Sequence, residues 1–198
     1  MTQTMEDKAK ITSYNQVKDE VREKYRGFFG QDVPSEVEGK ISIVEKIERG
    51  PIIYALGEFI ESSGEIRVVR ENQELFVSSV MHEFGHYRFL KDCRPLKEKQ
   101  SLISRIKDCF NYPESNNIRK SRPTYYYLSE VAALYIQFKT CNGDARNPQS
   151  YFYGDEVYDL AGRLYKSKLD KMGVWNTLTS IETIKGLYRK FPRKKLPE

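Results

Sequence analysis

The stretch SSVMHEFGHYRFL, residues 78–90, holds His82, Glu83 and His86, and its two histidines are the only ones in a chain of 198 residues. A helix turns 100° per residue, so positions i and i+4 stand one above the other on one face. If the stretch is helical, both imidazoles address one point. Zinc accepts such a pair at about 2.0–2.1 Å per nitrogen, and Glu83, one position on, reaches the proton of a water polarised there. The reading therefore demands a helix here. It also demands a core to seat that helix, through Val80, Met81 and Phe84, and a further element to supply the remaining ligand.

Upstream, Asn72 stands as an N-cap before a helix running from residue 73 to Leu90, and Pro95 closes it. Before that come β-branched runs. Residues 41–47 read as one strand, and residues 52–60 and 65–70 read as a hairpin turning at Ser62-Ser63-Gly64. Together they predict a small, mostly antiparallel sheet of about three strands. Residues 5–28 read as an amphipathic helix with Ile11, Tyr14, Val17, Val21 and Tyr25 on its apolar face, ended by Gly30 and Pro34.

Downstream, residues 96–110 suggest a short helix, and a Pro-, Asn- and Ser-rich loop follows. Pro123 opens the helix of "TYYYLSEVAALYIQFKT", which Asn142-Gly143 stops. Two more helices are expected near 154–172 and 180–190, before a frayed tail, "FPRKKLPE". Helix, small sheet, then helices is an α+β order, read as one domain with its core at about 40–140.

A catalytic zinc needs a third protein ligand, and no histidine is left. Two carboxylates compete. Asp92 completes the outline of HExxHxxGxxH with Asp last, but Phe89 stands where that pattern turns on glycine. Glu130 is the stronger candidate. It lies alone among apolar residues on the "SEVAALYIQF" helix, where a carboxylate has few other reasons to be. Ala133 is small and Gly85 has no side chain, so the two helices can pack closely enough to share one ion.

Composition fits a globular chain with a wet surface: 39% hydrophobic and 31% charged residues. No secretory h-region or membrane-length apolar run is evident, so the expected address is the cytoplasm, with no membrane span. Cys93, Cys109 and Cys141 are scattered and odd in number, which supports neither a disulfide framework nor a zinc knuckle. The net charge is +5, with basic excess in residues 87–124 and in the tail 185–198. Such patches allow weak nucleic-acid contact or are simply solvated.

HExxH with a glutamate on a later helix resembles the gluzincin metallopeptidases. The small sheet before the motif, and Glu130 followed by Ala133, look most like minigluzincins, over about residues 40–140. The resemblance implies one Zn2+ per chain held by His82, His86 and Glu130, with Glu83 as general base. It implies a zinc-dependent endopeptidase whose peptide or protein substrate lies extended along an edge strand, 65–70 or 55–60. Latency is also implied by some minigluzincins, and the segment 185–198 is a candidate to cross the cleft. The chain departs from the family in two places. Leu134 stands where many gluzincins carry an aspartate, so no residue is assigned to orient a ligand histidine. No histidine remains to stabilise an oxyanion, which leaves Tyr126 and Tyr127 as candidates; Tyr135 points off that face.

Two other functions fit the same residues. A regulatory protease of the ImmA/IrrE type would cut one repressor rather than many peptides. A zinc-stabilised nucleic-acid-binding module would show steep salt dependence and tolerate loss of Glu83.

Overall fold

Of the helix expected over 5–28, residues 5–8 lie outside what is described and residues 9–17 are not α-helical. The computed structural model describes residues 9–48, 54–92, 124–141, 155–167 and 170–179. Within these, Lys10 bridges to Asn72, and the Ile11 amide donates to the Glu71 carbonyl at 2.8 Å. The chain there lies extended beside the start of the helix that follows Asn72. Ser13 and Gln16 then form a reciprocal capping box around a single 3-10 turn, Tyr14–Gln16. Helix α1 runs only over Lys18–Phe29. Periodicity carried on through Ile11 and Tyr14, but the capping box is the stronger local signal. Gly30 ends α1 as expected, with φ of 68°. The short α2, Ser35–Glu38, follows Pro34.

Five strands come next: Ile41–Val44 (β1), Ile47–Glu48 (β2), Tyr54–Ala55 (β3), Gly57–Ile60 (β4) and Glu65–Val69 (β5). The hairpin is present, β4 pairing antiparallel with β5 through Glu58↔Arg67 and Phe59↔Ile66. Gly64 takes φ of 69° at its turn. The β1 strand joins the other side of β5 in parallel, Ile41↔Ile66 to Val44↔Val69. The sheet is therefore mixed, in the order β1-β5-β4, with one parallel and one antiparallel pairing. Strands β2 and β3 form a separate two-stranded ladder.

The remaining helices are Gln73–Asp92 (α3), Thr124–Thr140 (α4), Asp155–Lys166 (α5) and Lys171–Leu178 (α6). The α3 cap is as expected: Asn72 Oδ1 accepts from the Leu75 amide at 3.1 Å. The helix expected near 154–172 ends at Lys166, and a further helix that the sequence reading did not expect starts at Lys171, where Asp170 caps it by accepting from the Gly173 amide at 2.8 Å. The expected helices at 96–110 and 180–190, the tail, most of the basic insert and the breakers Pro95, Pro123, Asn142 and Gly143 lie outside the described residues. The class is α+β, with this sheet and six helices among the described residues.

Ile66 and Val68 of β5 are fully buried under α3, while Glu65 and Arg67 pair on the other face at 3.1 Å. Ten consecutive residues of α3, Phe76 to Gly85, are buried. So are ten of α4, Ser129 to Phe138. Both helices are enclosed on all sides, α3 between the sheet, α1 and α4. A second cluster is aromatic. Trp175 of α6 meets Phe28 and Phe29 of α1 edge-on, at 6.2 and 5.4 Å.

Candidate metal centre

Helices α3 and α4 touch most closely at Gly85. A Cβ built there would lie 2.5 Å from the Ala133 Cα and 3.1 Å from its Cβ. Only glycine permits that approach, as the small pair suggested. It brings Glu130 of α4 to the two imidazoles of α3. The Glu130 carboxylate lies 3.5 Å from His82 Nε2 and 3.3 Å from His86 Nε2, and the two Nε2 atoms are 3.1 Å apart. Ligand atoms bound tetrahedrally to zinc at about 2.0–2.1 Å stand about 3.3–3.4 Å from one another. The three side chains thus already present the edges of that polyhedron.

The group is enclosed. His82 and Glu83 are each 2% exposed and Glu130 8%, while His86 is partly open. Burial alone would push the His82 imidazole down. The Glu130 carboxylate beside it, and the charges of Glu83 and Glu130, push it up, and the net shift is upward. The field of the site therefore favours a cation. Buried carboxylates and imidazoles facing one another are what a bound metal ion would neutralise.

Each imidazole is also held at its far nitrogen. His82 Nδ1 lies 3.1 Å from Gln137 Oε1, and Gln137 Nε2 donates to Ser78 Oγ at 2.7 Å. His86 Nδ1 lies 2.8 Å from Ser129 Oγ. With their protons on Nδ1, the two rings would turn both Nε2 lone pairs toward Glu130. Gln137, Ser78 and Ser129 were not singled out by the sequence reading. The available signal was their polarity at core positions of helices that are otherwise apolar.

Glu83 sits beside the triad, against strand β4. A Cβ on Gly57 would come within 2.6 Å of its Oε1 and 2.9 Å of its Cγ. The β4 backbone therefore borders the carboxylate. Of the two strand segments considered for an extended ligand, 65–70 is excluded, because β5 is paired on both sides. Strand β4 has one partner in the sheet among the described residues.

Asp92, the competing third ligand, is turned elsewhere. Its Oδ2 accepts from Trp175 Nε1 at 2.7 Å and from Arg88 at 3.1 Å. Tyr135 is fully buried against Phe28, with its hydroxyl pushed up to about 12 by burial, as its angle from the Glu130 face suggested. The side chains of Tyr126 and Tyr127 lie outside what is described. Among the described residues His82, His86 and Glu130 form a buried group that could hold a metal ion. No described helix is long and apolar enough to cross a membrane. Compared with family models, curated proteins and solved structures, the chain matches none.

Proposed function

We propose that the chain is a zinc-dependent endopeptidase of the gluzincin type. The observation that carries this reading is the coincidence of two things: a His82–His86–Glu130 triad with separations of 3.1 to 3.5 Å, and a buried carboxylate, Glu83, one residue from the first ligand.

The two Nε2 atoms and the Glu130 carboxylate would hold the ion. Zinc bound there would supply Lewis acidity to a water and to the scissile carbonyl. Glu83 takes the proton of the attacking water and returns it to the departing amine nitrogen. Its burial keeps competing solvent away, and Gly57 leaves it room beside the strand. An extended peptide laid along β4 would gain main-chain hydrogen bonds while its scissile bond passes over Glu83.

The test uses two variants and the wild type, all purified alike. Elemental analysis should give about one zinc per wild-type chain and a sharp fall in Glu130→Ala. Glu83→Gln should keep its zinc but lose about 10²- to 10⁴-fold in hydrolysis of an unfolded protein. A wild type that takes up no zinc after reconstitution removes the reading altogether. A fully active Glu83→Gln removes the assignment of the base.

A further inference from the structure

Glu130 and Gln137 are seven residues apart, two turns of α4, and so share one face of that helix. Between them on it lies Ala133, the residue against which Gly85 packs. The closest contact of the two helices thus sits midway between two side chains that grip the same ring. Glu130 addresses His82 at Nε2, and Gln137 addresses it at Nδ1.

We propose that Gln137 is the positioning residue of this centre: its amide oxygen, turned toward the ring by the bond to Ser78, fixes the His82 tautomer that leaves Nε2 free to bind a metal. The inference rests on the metal-site reading above. A glutamine side chain has one end that accepts and one that donates. The Ser78 hydroxyl donates its own hydrogen bond to the Cys141 sulfur, so it accepts from the donating end of the amide, 2.7 Å away, and the accepting end faces the imidazole. An amide oxygen can only accept, so it draws the ring proton to Nδ1, against the pull of the Glu130 carboxylate at Nε2, and a ring held that way offers its Nε2 lone pair to a metal. A free neutral histidine favours the opposite arrangement. Ser78 and His82 are themselves one turn apart on α3, so the amide from α4 bridges two positions on a single face of its neighbour. All three side chains are buried, which keeps water from replacing either bond.

The amide does this without charge. A carboxylate at the same place would put a third acid beside Glu83 and Glu130. The absence of an acid at Leu134 is thereby explained, since orientation of the ligand histidine comes from one turn further along α4.

The experiment uses the full chain, whose two imidazoles give a simple nitrogen-15 spectrum. On metal-free protein, at a pH alkaline enough to keep both rings neutral, wild type should show His82 protonated at Nδ1 to a greater extent than any variant that lacks the Gln137 acceptor. Gln137→Met, and the double variant Gln137→Met/Ser78→Ala that leaves no hydroxyl stranded, should show a mixture of tautomers. Their zinc affinity, by chelator competition, should fall about 10- to 100-fold. Gln137→Glu restores an acceptor and should recover the Nδ1 tautomer, and its added charge makes zinc affinity more dependent on pH than in wild type. An unchanged tautomer in the Met variants overturns the proposal, as does a changed tautomer with unchanged affinity. If wild type binds no zinc, the metal-site reading fails, and the tautomer result alone decides whether Gln137 orients the ring.

Discussion

At the scale of single residues, the site depends on one missing side chain. Gly85→Ala offers a test in which two effects oppose. Alanine in a helix is favoured over glycine by about 0.8–1.0 kcal/mol. Here its methyl group would meet the Ala133 backbone at 2.5 Å, and backbone cannot rotate away. Overpacking of this kind costs about 1–3 kcal/mol, so we expect net destabilisation, read as a lower denaturant midpoint. Zinc affinity should fall with it, because the helices must part and Glu130 retreats. Much at this scale was legible: the i, i+4 histidines, the lone acid on an apolar helix and the small residues at 85 and 133 all carry local signals. Gln137 was not. Its place among apolar residues marks it as a buried amide with a partner, but that partner is a ring 55 residues earlier, which its own neighbourhood does not name.

At the scale of elements, local signals again succeeded where non-local ones failed. The hairpin of β4 and β5 is closed by a turn whose glycine takes positive φ, and its register follows from that turn. The parallel placement of β1 has no such mark, because its partner lies more than twenty residues away. The start of α1 was misplaced because an apolar period ran on through residues that a capping box had already fixed. What holds α1 to α2 is also partly electrostatic. Arg22 grips Glu38 with two bonds of 2.7 Å, and Tyr14 adds a third at 3.2 Å. The Arg22 hydrogen bond holds the Glu38 carboxyl below its ordinary 4.5, against a smaller desolvation effect. A lowered carboxylate stabilises the fold fully above its unfolded value and loses that contribution as pH falls through the folded one. Stability should therefore drop between neutral pH and a pH below about 4.5, and Glu38→Gln should flatten that part of the drop. Urea midpoints measured at both ends of the range decide it.

At the scale of the whole molecule, the fold encloses charge that a metal ion would compensate. Zinc at a free concentration of about a hundred times its dissociation constant should add about 2.7 kcal/mol of stability. For a chain of this size that corresponds to roughly 5–11 °C in Tm. Glu130→Ala should show almost none of this gain, and a wild type whose unfolding ignores zinc would exclude the site. The enclosure has a second consequence, which concerns time. Trp175 closes the aromatic cluster by meeting Phe28 and Phe29 edge-on and by donating to Asp92, the last residue of α3. Every side chain that grips the imidazoles has been made by residue 137, yet the residue that seals the helices together is made thirty-eight positions later. At about 5–20 residues per second, a growing chain carries its complete ligand set for roughly two to eight seconds before its interior can shut. A metal ion taken up by that set during synthesis would arrive before Trp175 is in place, and the order of the sequence sets the length of that interval.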